Sequence, residues 1–251
     1  MSRRNWPLAA RLLIVSVRFF GGGSLILFGL FLAVGPFGPV DLGLSPGPIL
    51  VWDAVLCLAF CVQHSAMVRA GFRRRAERFV PPHLGKALYT LASAVLLYAL
   101  TLLWQESPVV IVKLEGAARW VARGLFVAAL PGFVWAATAI PHFDPFGVGP
   151  IKDRLRGRGP RSLPFAIRGP YRWVRHPQYF FVLVLLWAYP DLTADRLLLA
   201  GILTAWIVLG TVLEERDLVE EFGADFVEYQ RRVPMLIPYR IPPQVTRSPE
   251  R

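Results

Sequence analysis

Residues 168–217 read RGPYRWVRHPQYFFVLVLLWAYPDLTADRLLLAGILTAWIVLGTVLEERD, and this stretch decides the fold. A cationic and aromatic cluster, Arg168 to Tyr179, sits at the mouth of one apolar run. A charged cluster, Glu214-Glu215-Arg216-Asp217, closes the next. Only residues 191–195 separate the two runs, which predicts a tight helical hairpin, with Asp191, Thr193 and Asp195 offering turn and capping chemistry. A hairpin brings both clusters to one membrane face. Groups of this kind are costly beside lipid and tend to mark function.

Outward from the hairpin, apolar stretches recur at 12–34, 49–67, 86–105, 119–141, 174–190 and 195–213. Crossing about 30 Å of hydrocarbon takes roughly 20 residues as a helix. The pattern predicts an all-α polytopic membrane protein with about six transmembrane helices. Beyond the last run, Leu218, Phe222 and Phe226 recur at four-residue spacing, with Glu220, Glu221, Asp225 and Glu228 on other faces. That is the pattern of an interfacial amphipathic helix. Gly223 interrupts it, and an extended apolar strip follows at 233–238. Two regions result: a four-span membrane region over 1–141, and a region over 142–251 in which a cytoplasmic loop, the hairpin and the C-terminal helix form the site. Gly21-Gly22-Gly23 lacks the spacing of a phosphate loop and suits close helix packing.

Composition agrees with a membrane protein. Of 251 residues, 55% are hydrophobic and 18% charged, and the mean hydropathy is +0.46. Soluble domains carry roughly a quarter charged residues. The net charge of +11 comes from short loops between apolar runs, not from a basic folded domain, which argues against nucleic acid. Loop 35–48 has no Lys or Arg, loop 106–118 has only Lys113, and turn 191–195 has none. Loop 68–86 instead carries Arg69, Arg73, Arg74, Arg75, Arg78 and Lys86, and segment 142–177 is equally basic. This alternation predicts insertion in the inner (cytoplasmic) membrane with both termini cytoplasmic, and basic loops against lipid head groups. Arg3, Arg4 and Arg11 precede the first run, which reads as an uncleaved span. Cys57 and Cys61 read as reduced packing residues, and no metal-ligand spacing surrounds them.

In the 168–179 cluster, Gly169-Pro170 sets a turn and Pro177 suits the first turn of a helix. Arg175 and His176 then stand at a helix start, a natural anion pocket, with forked guanidinium donors that match a carboxylate. Arg172 and Trp173 read as interfacial anchors. Glu214 and Glu215 follow a long apolar run directly and need a partner or a ligand. The two clusters together suit a zwitterionic, hydroxyl-bearing small molecule.

The motifs RGPYRWVRHPQY and LEERDLVEEFGADFVEYQRRVPMLIP closely resemble the C-terminal half of the isoprenylcysteine carboxyl methyltransferase superfamily. Gln63-His64-Ser65, Val80-Pro81 and His142-Phe-Asp-Pro-Phe-Gly147 resemble its methanethiol S-methyltransferase and NnrU-type branch. The resemblance covers about residues 55–240 and is strongest after 140. It implies S-adenosylmethionine as methyl donor at the cytoplasmic mouth of the hairpin, lined by Tyr171, Arg175, His176, Pro177 and Tyr179. Glu214 and Glu215 would contact the donor from the last helix, and Tyr229 would close the pocket. The implied acceptor is a small or lipophilic thiol; carboxyl methylation of a prenylcysteine and N-methylation of a phospholipid are the alternatives. Arg175, His176 and Glu215 are the catalytic candidates, with Arg175 lowering the thiol pKa. His64, His142 and Asp144 are candidate acceptor contacts. Phe180-Phe181 depart from the family, where small residues are common. A different class of reading is a haem or metal protein of nitrogen-oxide metabolism, using His64, His142 and His176.

Overall fold

A computed structural model describes residues 7–140, 144–159 and 165–240. In chain order the elements are α1 (Leu8–Val34), α2 (Pro46–Val68), α3 (Ala70–Ala76), α4 (Gly85–Leu103), β1 (Val110–Lys113), α5 (Gly116–Ala139), α6 (Val148–Leu155), α7 (Pro177–Trp187), β2 (Asp191–Thr193), α8 (Ala194–Phe222) and α9 (Ala224–Arg232). Among the described residues, α1, α2, α4 with its preceding 3-10 turn, α5 and α8 are long and apolar enough to cross a bilayer. The protein is a helical, multi-pass membrane protein; β1 and β2 are a short pair within it.

Two stretches differ in length from the sequence expectation. The apolar run 174–190 yields only the 11-residue α7. At 1.5 Å per residue that is about 16 Å, roughly half a hydrocarbon core. Val174 N–H closes the preceding turn on the Pro170 carbonyl, and residues 175–176 are irregular because their amides go to another segment, Arg175 N–H to the Pro234 carbonyl and His176 N–H to that of Met235. The helix ends ahead of Pro190, which cannot continue it. By contrast, α8 was expected over 195–213 and runs 29 residues, carrying Glu214 and Glu215 on an unbroken helix. The amphipathic pattern is therefore split: its first part ends α8, and Gly223, at φ 58, turns the chain into α9.

The chain forms two compact units. Within the described residues, the first comprises 7–119, 144–159 and Tyr189–Trp206. Here α1 lies tightly on α4, and the glycines explain how: a Cβ on Gly21 would sit 2.7 Å from Thr90 Cγ2 and 2.9 Å from the Phe146 ring. Ile14, Val17, Ala87, Val148 and Ile151 form the adjoining core. The turn expected over 191–195 is instead zipped to the preceding loop, with β2 antiparallel to β1 and Val110 opposite Thr193. Asp191 pairs two-point with Arg119 at 2.7 and 2.8 Å. Asp195 serves a distant segment, accepting from the Trp104 indole at 3.0 Å and the Ser107 amide at 3.1 Å. Cys57 and Cys61 are buried free thiols.

The second unit comprises Trp120–Phe143, Leu163–Ala188 and Ile207–Arg251, within the described residues. Phe226, Tyr229 and Val233 form its core with Phe165, Ile167, Leu218 and Phe222 against them. Gly169 sits at φ 52, and a Cβ there would meet Trp135 Nε1 and Ala139 Cβ at 3.3 Å. Only glycine suits that turn. Gly132 on α5 opposes the Phe181 ring, which accounts for the bulk at 181: the missing side chain on α5 makes room for the phenyl group.

Candidate functional site

Within the second unit, the start of α7, the C-terminal part of α8, and α9 with the strip after it converge on one cluster. Pro177 begins α7, so His176 and Arg175 are held just outside the helix in backbone pinned by Pro234 and Met235. Arg175 donates to both oxygens of Glu215, Nε to Oε1 at 2.6 Å and Nη2 to Oε2 at 2.9 Å. Its Nη1 donates to the carbonyls of Gln230 (3.0 Å) and Val233. All three guanidinium nitrogens thus face protein acceptors. Gln230 adds an amide donor to Glu215 Oε2 at 2.8 Å.

His176 bridges the two glutamates. Its Nε2 is 3.1 Å from Glu215 Oε1, and its Nδ1 is 3.9 Å from Glu214 Oε2. A carboxylate already matched to a guanidinium can only accept, which places an imidazole proton on Nε2. The ring stacks on Tyr179 at 5.6 Å. Tyr179 donates its hydroxyl to Glu214 Oε2 at 2.9 Å. The glutamates differ in exposure: the Glu215 side chain is 9% exposed and that of Glu214 is 45%. Glu215 is committed to the protein interior, whereas Glu214 faces outward with acceptor capacity to spare.

A cavity of about 210 Å³ opens over this cluster. Tyr171, His176, Tyr179, Glu214 and Tyr229 line it, and Phe165 and Phe222 add aromatic surface. Tyr229 donates its hydroxyl to the Tyr171 carbonyl at 2.5 Å, tying α9 to the turn before α7. Burial pushes both phenols above their ordinary value, so they are neutral walls rather than anions. Arg172 and Trp173 are exposed, in keeping with a role as anchors.

The structure therefore brings together Tyr171, Arg175, His176, Pro177, Tyr179, Glu214, Glu215 and Tyr229. The acceptor candidates have other settings. His64 lies on α2, 2.6 Å from the Tyr89 hydroxyl through Nε2, with Phe60 and Trp206 rings around it. Asp144 caps α6, accepting from the amides of Val148 at 3.0 Å and Gly149 at 2.6 Å. His142 lies outside the described residues. Among the described residues, no group of three or more His, Cys, Asp or Glu is placed to hold a metal ion. Sequence reasoning missed Gln230 and Phe165. Gln230 stands beside Arg231-Arg232 and reads as surface; only its position one residue after Tyr229, on a helix whose next turn is Val233, hints at its role. Phe165 stands three residues before the motif, outside the run of cationic and aromatic residues that marks it.

Comparison with known proteins follows the same lines. The NnrU protein family matches residues 54–239. A methanethiol S-methyltransferase of Pseudomonas sp. (strain GM41(2012)) is 39% identical over 230 residues, covering 88% of this chain and 86% of its own. One from Mycobacterium tuberculosis is 37% identical over 194 residues, covering 77% and 80%. Nurim of Rattus norvegicus is 31% identical over 179 residues, covering 67% and 68%. No solved structure matches the chain.

Proposed function

The chain belongs to the NnrU family, and on that footing we propose that it is an integral-membrane methyltransferase that uses S-adenosylmethionine to methylate a small or lipophilic thiol. The observation that carries this reading is the convergence of Arg175, His176 and Tyr179 with Glu214 and Glu215 beneath one aromatic-walled cavity. Similarity to methanethiol S-methyltransferases over most of both chains supports the reaction and the thiol class.

The residues present suit the donor. Glu214 offers an outward carboxylate for ribose hydroxyls or for a sulfonium, and Phe165, Phe222 and Tyr229 offer ring faces to a cation and a base. The first turn of α7 supplies helix-start amides, the usual cradle for a carboxylate. The volume of about 210 Å³ is below the roughly 300–1,000 Å³ of typical ligand sites, so the donor extends beyond the enclosed part. When bound, the donor supplies an electrophilic methyl group on a positively charged sulfur that leaves as a neutral thioether.

The side chains then divide the work. Arg175, with its nitrogens committed to Glu215, Gln230 and Val233, is a positioning residue: it fixes the start of α7 against α8 and the strip after α9. His176 is the base, taking the thiol proton on Nδ1 while Glu215 holds Nε2. Glu214, 3.9 Å from Nδ1, stabilises the imidazolium that forms. With the donor bound, these residues would hold the thiolate in line with the methyl group, which would pass to the thiolate sulfur while the donor sulfur kept the electron pair of the broken bond. Holding the two reactants in line can lower the barrier by roughly 7–11 kcal/mol.

The charge alternation of the loops supports the inner membrane as location, with both termini and this cavity at the cytoplasmic side, where a soluble donor reaches it. The four apolar stretches before residue 141 and the gathering of the site residues after 142 support a functional division into a four-span region over 1–141 and a site-forming region over 142–251, which is distinct from the two compact units. Incubation of the purified protein with methyl-labelled donor and a panel of thiols, prenylcysteines and phospholipids tests the proposal. Label recovered as a thioether supports it; label only in an ester or a lipid amine assigns another acceptor class.

A further inference from the structure

The first unit holds a second cavity, of about 420 Å³, that the methyl-transfer reading does not use. This is within the roughly 300–1,000 Å³ of ligand sites. It lies where α2 ends, α3 follows and α4 begins, so its walls come from the ends of two successive apolar helices, the basic connection between them, and residues 144–150 at the start of α6. One side is apolar: Met67 and Val68 from α2, Phe72 from α3 and Leu88 from α4. Val68, Phe72 and Leu88 are exposed large hydrophobics, at 48%, 41% and 41%. The other side carries Arg73 and Lys86, both exposed.

Charge decides what such a cavity takes. Asp144 also lines it, but its carboxylate is met by the amides of Val148 and Gly149. Glu77 also lines the cavity beside Arg73 and Lys86, but it is the one acid in segment 69–86, against the six cations Arg69, Arg73, Arg74, Arg75, Arg78 and Lys86. The field over the cavity is therefore positive, and it favours an anion. An inorganic anion would leave the apolar wall wet. A molecule carrying a phosphate at one end and methylenes at the other matches both walls, and a bilayer supplies it at the depth where α2 ends and α4 starts.

We propose that this cavity is a binding site for an anionic glycerophospholipid, its phosphodiester between Arg73 and Lys86 and its first chain methylenes against Val68, Phe72 and Leu88. Guanidinium and ammonium together suit a phosphodiester oxygen pair, and basic pockets between spanning helices favour such head groups.

The test uses the full chain in detergent, titrated with dioleoylphosphatidylglycerol and followed by native mass spectrometry, with thermal midpoints recorded for every variant. R73Q/K86Q is expected to weaken binding by about tenfold or more, since each cation near an anionic lipid contributes on the order of 1 kcal/mol. R75Q/R78Q removes the same charge from residues outside the cavity wall and should weaken binding several-fold less than R73Q/K86Q does. L88W keeps every charge, fills the apolar side and should weaken binding by about fivefold or more. If R73Q/K86Q fails to fold, L88W decides. Equal weakening in R75Q/R78Q, unchanged binding in L88W, equally tight dioleoylphosphatidylcholine or dioleoylphosphatidylethanolamine, or displacement of the lipid by equimolar inorganic phosphate would each overturn the proposal.

Discussion

Arg175 and Glu215, 40 positions apart in sequence, meet in a two-point pair at 2.6 and 2.9 Å, with their side chains 10% and 9% exposed. The pair does more than join two helices. It consumes the guanidinium that, on sequence grounds, was expected to receive a ligand carboxylate, and it orients His176 through the same Glu215 oxygen. Removing one member leaves the other buried without its counter-charge, which costs about 3–5 kcal/mol in such settings. Glu215→Ala is thus expected to lower the thermal midpoint of the detergent-solubilised protein and to abolish methyl transfer together. A variant with wild-type midpoint and no transfer would show that the pair is dispensable for folding.

Glu214 should behave in the opposite way. Its side chain is 45% exposed and its hydrogen-bond partner is Tyr179. Glu214→Gln and Tyr179→Phe each remove about 1 kcal/mol or less of stability. Both should reduce transfer by about tenfold or more, because both alter the group that faces Nδ1 of His176. Initial rates at saturating thiol, set beside thermal midpoints, separate this from a folding defect.

His176 is proposed as the proton acceptor because Glu215 holds its Nε2, and this predicts a selective rescue. His176→Asn keeps a polar side chain but has no basic lone pair at neutral pH. Its rate should recover as pH rises toward the thiol's own pKa, since the acceptor then arrives as thiolate. Loss of the rate at every pH would instead make His176 part of the binding surface.

Tyr171 and Tyr229 give a pH prediction whose sign follows from burial. Each phenol is pushed above its ordinary 10.0, with desolvation the largest cause. In the unfolded chain they ionise near pH 10, in the folded protein at higher pH, so their stabilisation is fully present below pH 10 and is lost as pH rises above it. The thermal midpoint is expected to fall beyond pH 10, and Tyr229→Phe should flatten that fall. It should also lower the neutral-pH midpoint slightly, because the bond to the Tyr171 carbonyl disappears.

Much of this site was legible in the chain because it is local. RHPQY places Arg175, His176 and Tyr179 within one turn of a helix start, and the Glu214–Glu215 pair lies one hairpin away. Spacing and the cost of charge near lipid were enough to predict that the clusters meet. What was not legible depends on tertiary contacts. Residues 174–176 look like helix by hydropathy, yet the amides of Arg175 and His176 are taken by Pro234 and Met235, which shortens α7. The turn at 191–195 carries capping residues, yet it pairs as a strand with Val110–Lys113. Asp144 looks like a site residue by motif, yet its oxygens are spent on the first amides of α6. In each case a backbone group elsewhere in the chain outcompeted the local preference.

The claim on which the rest depends is that a nucleoside-bearing sulfonium and its demethylated product dock beside Glu214 and Tyr179. Calorimetric titration of S-adenosylhomocysteine into the full-length protein addresses it directly. The account predicts saturable one-site binding for wild type, weakened by about tenfold or more in Glu214→Gln at an unchanged thermal midpoint. Absence of binding to a folded wild-type protein, or equal affinity in Glu214→Gln, would contradict it.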